Sequence, residues 1–125
     1  MESHVARGRH GETIAAAFLK LRGYRILDRN YRFGHLEIDL VGLRGNVLVV
    51  VEVKFRARSR SGPAAGAVGP RKQRDLETAA VGYVKQRGHR GLHLRFDVVS
   101  LEARGEALLV RHVPGAFTAT GRYRL

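Results

Sequence analysis

The apolar positions of the chain follow two periods, one typical of helices and the other typical of strands. Helical spacing predicts a first helix that begins at about Val5 or Gly8 and ends at Arg22. A second helix is predicted from Pro70, a residue tolerated in the first helical turn, to Gly88, a residue that commonly follows a helix end. Each helix carries one apolar stripe, which predicts packing against a sheet.

Runs of apolar and β-branched residues predict five strands. In chain order they are Tyr24–Leu27, Leu36–Leu43, Asn46–Phe55, Leu94–Leu101 and Leu108–Val113. A tight turn at Arg44-Gly45 joins the second strand to the third and predicts an antiparallel hairpin. The resulting order is αβββαββ, which predicts an α/β fold with a mixed central sheet flanked by helices, in one domain spanning residues 1–125.

The third strand contains the stretch VLVVVEVKF at residues 47–55. A nearly unbroken apolar run is typical of a central strand that is buried on both faces. Glu52 and Lys54 lie near its end on one face, because side chains alternate along a strand. A charged strand end can also discourage aggregation, but that device belongs on edge strands. The pair therefore indicates a site, since charged groups near a core need partners.

Three further carboxylates are candidate partners for this pair. Glu37 and Asp39 share a face of the preceding strand, and the hairpin can bring Asp39 close to Glu52. Glu12 lies in the first helix, where the helix dipole alone would also explain it. Such carboxylates repel one another unless one is protonated or a cation such as Mg²⁺ bridges them. Asp39 and Glu52 are therefore candidate metal ligands, with Glu12 and Glu37 as further candidates.

The charge of the chain indicates the chemistry of its partner. The sequence has 23 Lys and Arg against 11 Asp and Glu, which gives a net charge of +12. A surplus of this size points to a polyanion, most often nucleic acid. Residues 55–74 contain no acid, and their six basic side chains are candidate nucleic-acid contacts: Arg56, Arg58, Arg60, Arg71, Lys72 and Arg74. For any one of these arginines, a solvated basic loop is an equally good explanation.

Other features of the sequence exclude several classes of protein. No apolar run approaches the roughly 18 residues that a membrane span needs, and the amino terminus lacks the apolar core of a signal peptide. The absence of cysteine removes disulfides and thiolate metal sites and favours a cytoplasmic location. No phosphate-binding glycine loop or Ser-His-Asp signature is present, and the six scattered histidines do not predict a zinc site.

The order of these motifs resembles the D…E-x-K core of the PD-(D/E)xK nuclease superfamily, with Asp39 followed by Glu52-Val53-Lys54. The chain is most similar to the YraN family of that superfamily, whose members are regarded as endonucleases and are similar to archaeal Holliday junction resolvases. The resemblance extends from Gly11-Glu12, through Glu37-Ile38-Asp39-Leu40, to Ala116-Phe117.

This resemblance implies a restriction-endonuclease-like fold and hydrolysis of phosphodiester bonds in DNA, including branched or structured DNA, with Mg²⁺ or Mn²⁺. Asp39 and Glu52 would hold the metal, Glu12 would complete the catalytic site, and Lys54 would position the attacking water or steady developing charge. Lys72 and Gln73 would approach the phosphate. Glu37 has two interpretations, a further metal ligand or a salt bridge to a nearby arginine.

The resemblance also bears on assembly and on alternative functions. Resolvase-like relatives act as dimers, so a homodimer is a further expectation, with an apolar patch from Leu108 to Phe117 as its candidate surface. The main alternative to an enzyme is a non-catalytic nucleic-acid-binding module that retains the nuclease fold. A third alternative is a protein-interaction domain whose basic face meets an acidic partner.

Overall fold

The computed structural model describes residues 4–56 and 67–119, with only the backbone described for residues 4–9. Its two helices and five strands follow the predicted order, which confirms the mixed α/β class. They are α1 (His4–Leu21), β1 (Arg25–Phe33), β2 (Leu36–Arg44), β3 (Val47–Arg56), α2 (Pro70–Arg87), β4 (His93–Arg104) and β5 (Ala107–Phe117). Gly88 follows α2 with a φ of 77°, the left-handed conformation in which glycine commonly ends a helix.

The five strands form one mixed sheet in the order β1-β2-β3-β4-β5. The pairs β1–β2, β2–β3 and β4–β5 are antiparallel, and β3–β4 is parallel. A parallel pair needs a crossover connection, which here contains α2. The prediction that the valine-rich strand is central is confirmed, since β3 has two strands on each side.

The two helices pack on opposite faces of the sheet, and β3 contributes to both interfaces. Val49 and Val51 belong to the buried cluster that contains Ala15 and Leu19 of α1. The alternate residues Leu48 and Val50 belong to the cluster that contains Leu76, Ala80 and Tyr83 of α2. This alternation explains why the run has almost no polar residue, since burying each valine stabilises the fold by about 1.5–3 kcal/mol.

The outer strands are longer than the sequence predicts. β1 was expected to end at Leu27 and β5 at Val113, but they end at Phe33 and Phe117. Both are edge strands with many exposed positions, and polar residues interrupt their apolar alternation.

The predicted apolar patch lies on the edge strand β5. Leu108 and Leu109 are 38% and 36% exposed, so the last strand of the described sheet presents apolar side chains. The oligomeric state stays a prediction.

Candidate functional site

Asp39 lies where β2 and β3 stop pairing. Their ladder runs from Arg44 opposite Val47 to Leu40 opposite Val51 and does not continue to Asp39. Instead, Oδ2 of Asp39 accepts a hydrogen bond of 2.8 Å from the backbone N–H of Val53. The carboxylate thus takes the place of a ladder acceptor and is held in the opening between β2 and β3.

The regular alternation of β2 is broken at the same residue. Ile38 packs in the cluster beneath α2, whereas Leu40 packs in the cluster beneath α1. Residues two apart in a regular strand face the same side. At Asp39 the alternation of the strand therefore shifts by one residue. This change of phase places the Asp39 side chain within reach of both faces of the sheet.

Three carboxylates meet on one side of this opening. One oxygen from each of Glu12, Glu37 and Asp39 lies within 4.8 Å of the others. Glu12 is only 8% exposed and comes from α1, which approaches the sheet closely at Gly11: a Cβ there would lie 3.2 Å from the Leu101 side chain. Glu12, for which the sequence left a helix-dipole explanation open, thus lies among the acids at the sheet.

Glu37 shows both of the contacts considered for it. Its carboxylate belongs to the acidic group, and its Oε2 also lies 3.8 Å from a guanidinium nitrogen of Arg32. Both side chains of this ion pair are substantially exposed, so the pair adds little stability. Arg32 therefore leaves Glu37 available as a ligand.

Glu52 approaches Asp39 from the end of β3. The two side chains share a hydrogen bond, as do Asp39 and Glu12. A hydrogen bond between two carboxyl groups requires a proton on one of them. Burial, followed by the contact with Asp39, raises the pKa of Glu52 to about 8 even though Lys72 opposes the rise. Burial and Asp39 likewise raise the pKa of Glu12 to about 7.

The donor set suits a hard divalent cation. Glu12, Glu37 and Asp39 offer carboxylate oxygens, which Mg²⁺ and Mn²⁺ prefer, and no nitrogen or sulfur ligand of the described residues belongs to this group of three. Glu52, also predicted as a ligand, lies outside the group and contacts it through Asp39. The raised pKa values indicate that the crowded acids must otherwise retain protons. A cation would replace those protons, so these residues fit the metal that the resemblance implies.

The raised pKa values predict how stability depends on pH when metal is withheld. Between the ordinary value of 4.5 and the folded values of about 7 and 8, the folded protein binds more protons than the unfolded chain. The free energy of unfolding therefore falls as pH rises through this window. Measured in EDTA, the Tm should be several degrees lower at about pH 8.5 than at about pH 5.

Two comparisons sharpen this pH measurement. Glu52→Gln should flatten the upper part of the profile, because the glutamine does not titrate. Mg²⁺ should raise the Tm more at about pH 8 than at about pH 5, where protons compete for the carboxylates. A Tm in EDTA that climbs steadily with pH would contradict the prediction.

The predicted lysines lie beside Glu52, on the side where α2 begins. Nζ of Lys72 is 3.4 Å from Oε2 of Glu52. The ammonium of Lys54 donates a hydrogen bond to the carbonyl of Ala67, in the segment that precedes α2. The Gln73 side chain donates to the carbonyl of Val68 at 2.7 Å, so it secures that segment.

Three of the remaining predicted nucleic-acid contacts lie within the described residues, near the same end of the sheet. Arg71 and Arg74 are exposed in the first turn of α2, next to Lys72. Arg56 is half-buried at the end of β3, opposite Glu102 of β4. Arg58 and Arg60 lie outside the described residues.

The sequence reasoning missed a buried polar network at Asp97. The Asp97 side chain is fully buried and is bound by Arg95, His112 and the backbone N–H of Gly115. Arg95 also donates to Tyr24 at 2.6 Å. An arginine two residues before an acid within an apolar strand was the available signal, since the two share a face.

Asn30 was also missed as a residue of the site. Its side chain hydrogen-bonds to Glu12. No pattern in the sequence singles it out beyond the tolerance of asparagine for unusual backbone conformations.

No helix within residues 4–56 and 67–119 is long and apolar enough to cross a bilayer.

Comparison with known proteins gives the family. The sequence model described as "Uncharacterised protein family UPF0102" matches residues 11–101. A UPF0102 protein of Chlorobaculum parvum is 48% identical over 96 residues, covering 77% of this chain and 74% of its own. A UPF0102 protein of Anaeromyxobacter dehalogenans is 45% identical over 123 residues, covering 97% of this chain and 90% of its own.

Among solved structures, that of Pyrococcus furiosus SfsA in complex with Ca²⁺ is similar with 18% sequence identity and a TM-score of 0.38. The match covers 86% of this chain and 62% of that chain, which is just under two thirds of its length. The matched family and the two close relatives confirm the predicted resemblance: the chain belongs to the UPF0102 family, the YraN family.

Proposed function

We propose that the protein is a metal-dependent nuclease that hydrolyses phosphodiester bonds in DNA. The observation that carries the proposal is the group of acids at the opening between β2 and β3, with lysines beside it. This group comprises Glu12, Glu37, Asp39, Glu52, Lys54 and Lys72. Perturbed carboxylates next to ammonium groups are typical of sites for phosphoryl chemistry.

The cation would be held by the carboxylates of Glu12, Glu37 and Asp39. Glu52 would assist from beside Asp39, which it contacts. A bound Mg²⁺ or Mn²⁺ supplies Lewis acidity and lowers the pKa of a coordinated water. Asp39 is suited to this role because the Val53 N–H fixes its carboxylate on a rigid strand. Glu52 lies next to Val53, so the same strand fixes the position of both acids.

The lysines supply positive charge where a phosphate would approach. Lys72 is already paired with a carboxylate at 3.4 Å, and its side chain is about half exposed, so it can turn to a phosphate oxygen. Lys54 lies on the face of Glu52 and is oriented by the carbonyl of Ala67. Both ammonium groups can stabilise the negative charge that develops as the phosphodiester is attacked.

The surface beside these lysines suits a nucleic-acid backbone. The first turn of α2 contains no acid and has no side-chain cap at Gly69. It carries the exposed Arg71 and Arg74 on either side of Lys72 and Gln73. The N-terminal end of a helix attracts anions through its dipole and its backbone N–H groups. The net charge of +12 supplies long-range attraction to DNA.

A cleavage assay tests the proposal. The protein is incubated with labelled linear, nicked, flap and four-way-junction DNA in Mg²⁺, in Mn²⁺ and in EDTA. We expect metal-dependent products with a 5′-phosphate and a 3′-hydroxyl on at least one of these substrates. Glu52→Gln should lower the rate by about 100-fold or more, because it removes a charge at the reacting centre.

The matched control is Glu106→Gln, which removes the same charge from the exposed turn between β4 and β5. It should leave cleavage unchanged. The alternative, a binding module without catalysis, predicts no cleavage of any substrate and salt-sensitive DNA binding that Glu52→Gln does not weaken. That result would overturn the nuclease proposal, and binding that does not respond to salt would overturn the DNA partner as well.

A further inference from the structure

Asn30 has an unusual backbone conformation within β1. Its φ is +52°, and it is the one non-glycine residue with positive φ in the part of the chain that the structure describes. Strand residues normally have φ near −120°. Holding a non-glycine residue in the left-handed region costs about 1–3 kcal/mol, and such residues cluster at functional sites. Asparagine tolerates the conformation better than most residues.

The register places Asn30 next to the acidic group. β1 pairs Arg29 with Leu40 and Tyr31 with Ile38, so Asn30 lies opposite Asp39. Asp39 is the residue at which β2 changes phase. The two irregularities therefore face each other across one strand pair, beside the candidate ligands.

The alternation of β1 changes phase at this point as well. Asp28 accepts a hydrogen bond of 2.7 Å from Tyr83 of α2, and Tyr31 packs in the cluster beneath α2. Residues three apart would face opposite sides of a regular strand. Between them, Arg29 and Asn30 both contact α1 instead.

These two contacts attach the middle of α1 to β1. Arg29 donates a hydrogen bond of 2.7 Å to the hydroxyl of Thr13. The Asn30 side chain hydrogen-bonds to the carboxylate of Glu12. Consecutive residues of the strand thus bind consecutive residues of the helix, and one of those is a candidate metal ligand.

We propose that Asn30 is a positioning residue, whose left-handed backbone turns its side-chain amide toward Glu12 and holds that carboxylate beside Glu37 and Asp39 for a divalent cation. This inference rests on the proposed metal-dependent function. Donation to one carboxylate oxygen fixes the orientation of Glu12 and leaves its other oxygen for the cation. Outer partners of this kind orient metal ligands and tune their affinity.

Substitution by glycine separates positioning from backbone geometry. Glycine adopts positive φ without steric cost, so Asn30→Gly preserves the strand conformation and removes only the amide. The Mn²⁺ affinity of the metal-free full chain is measured by calorimetry without nucleic acid, and the Tm is measured in EDTA. We expect an unchanged or higher Tm together with Mn²⁺ binding that is about tenfold weaker.

The matched control is Asn46→Gly, the same substitution in the β2–β3 turn at the other end of the strand pair. Its Mn²⁺ affinity should equal that of the wild type. An Asn30→Gly variant that binds Mn²⁺ as tightly as the wild type would overturn this inference and leave the proposed function standing. A Tm that falls together with the Mn²⁺ affinity would do the same, because Asn30 would then only support the backbone. A wild-type chain that binds no Mn²⁺ would overturn the metal-dependent function and this inference with it.

Discussion

Asp39→Asn is expected to abolish metal binding while making the metal-free protein more stable. Asparagine keeps the size of the side chain and a carbonyl oxygen that can accept the hydrogen bond from Val53. It removes the negative charge that lies in contact with both Glu12 and Glu52. The loss of repulsion should raise the Tm in EDTA at about pH 8 by several degrees.

Metal affinity should change in the opposite direction. Asp39 is a candidate ligand that contacts both neighbouring acids. Its loss should weaken Mn²⁺ binding by more than the roughly 10- to 100-fold that is typical when a residue that only orients a ligand is removed. DNA cleavage should fall with it, to the background of the EDTA reaction. Glu106→Gln, outside the acidic group, should change neither the Tm nor the Mn²⁺ affinity appreciably. A lower Tm for Asp39→Asn in EDTA would show that repulsion among these acids is not the dominant effect.

Asp97→Asn is expected to destabilise the fold strongly without altering the metal site. The Asp97 carboxylate accepts two hydrogen bonds of 2.8 Å from Arg95, one contact of 2.8 Å with His112, and a bond of 3.0 Å from the Gly115 N–H. Burial would raise the pKa of Asp97, but these hydrogen bonds outweigh it and lower the pKa. Removing one partner of such a buried pair costs about 3–5 kcal/mol.

The position of Asp97 explains why this loss should be large. The β4–β5 ladder shifts register between Phe96 and Val98, and Asp97 binds the Gly115 backbone across that irregularity. The carboxylate therefore secures the edge strand where regular pairing is interrupted. Equilibrium urea unfolding should show the loss, and the Tm should fall by about 10 °C or more.

Mn²⁺ affinity measured well below the Tm provides the internal control for Asp97→Asn. It should match the wild type, because the Asp97 network contacts Tyr24, beyond the end of α1, rather than Glu12 in the middle of that helix. A loss of stability below about 1 kcal/mol would mean that water replaces the missing charge easily, contrary to the burial of the site.

The sequence was informative where side chains are buried on both faces or alternate regularly. The apolar run at residues 47–55 identified the central strand, and the turn at Arg44-Gly45 gave its pairing with β2. The edge strands were underestimated because solvent on one side permits polar residues such as those at 28–32. Strand propensity depends on packing of this kind, which a single sequence does not display.

The candidate site was predicted in part for the same reason. Hairpin pairing was sufficient to expect Asp39 near Glu52, and helix periodicity allowed Glu12 to face the sheet. The contact of Lys72 with Glu52 depends on how α2 packs, which no local pattern specifies. The changes of phase at Asn30 and Asp39 break the alternation on which the sequence prediction relied.

The opening at Asp39 has a consequence for communication within the fold. Asp39 contacts Glu12 of α1 and, on its other side, Glu52, whose partner Lys72 belongs to α2. The two helices lie on opposite faces of the sheet, yet one carboxylate links the middle of α1 to the first turn of α2 electrostatically. A change in charge at Asp39 would therefore alter the electrostatic surroundings of both helices at once.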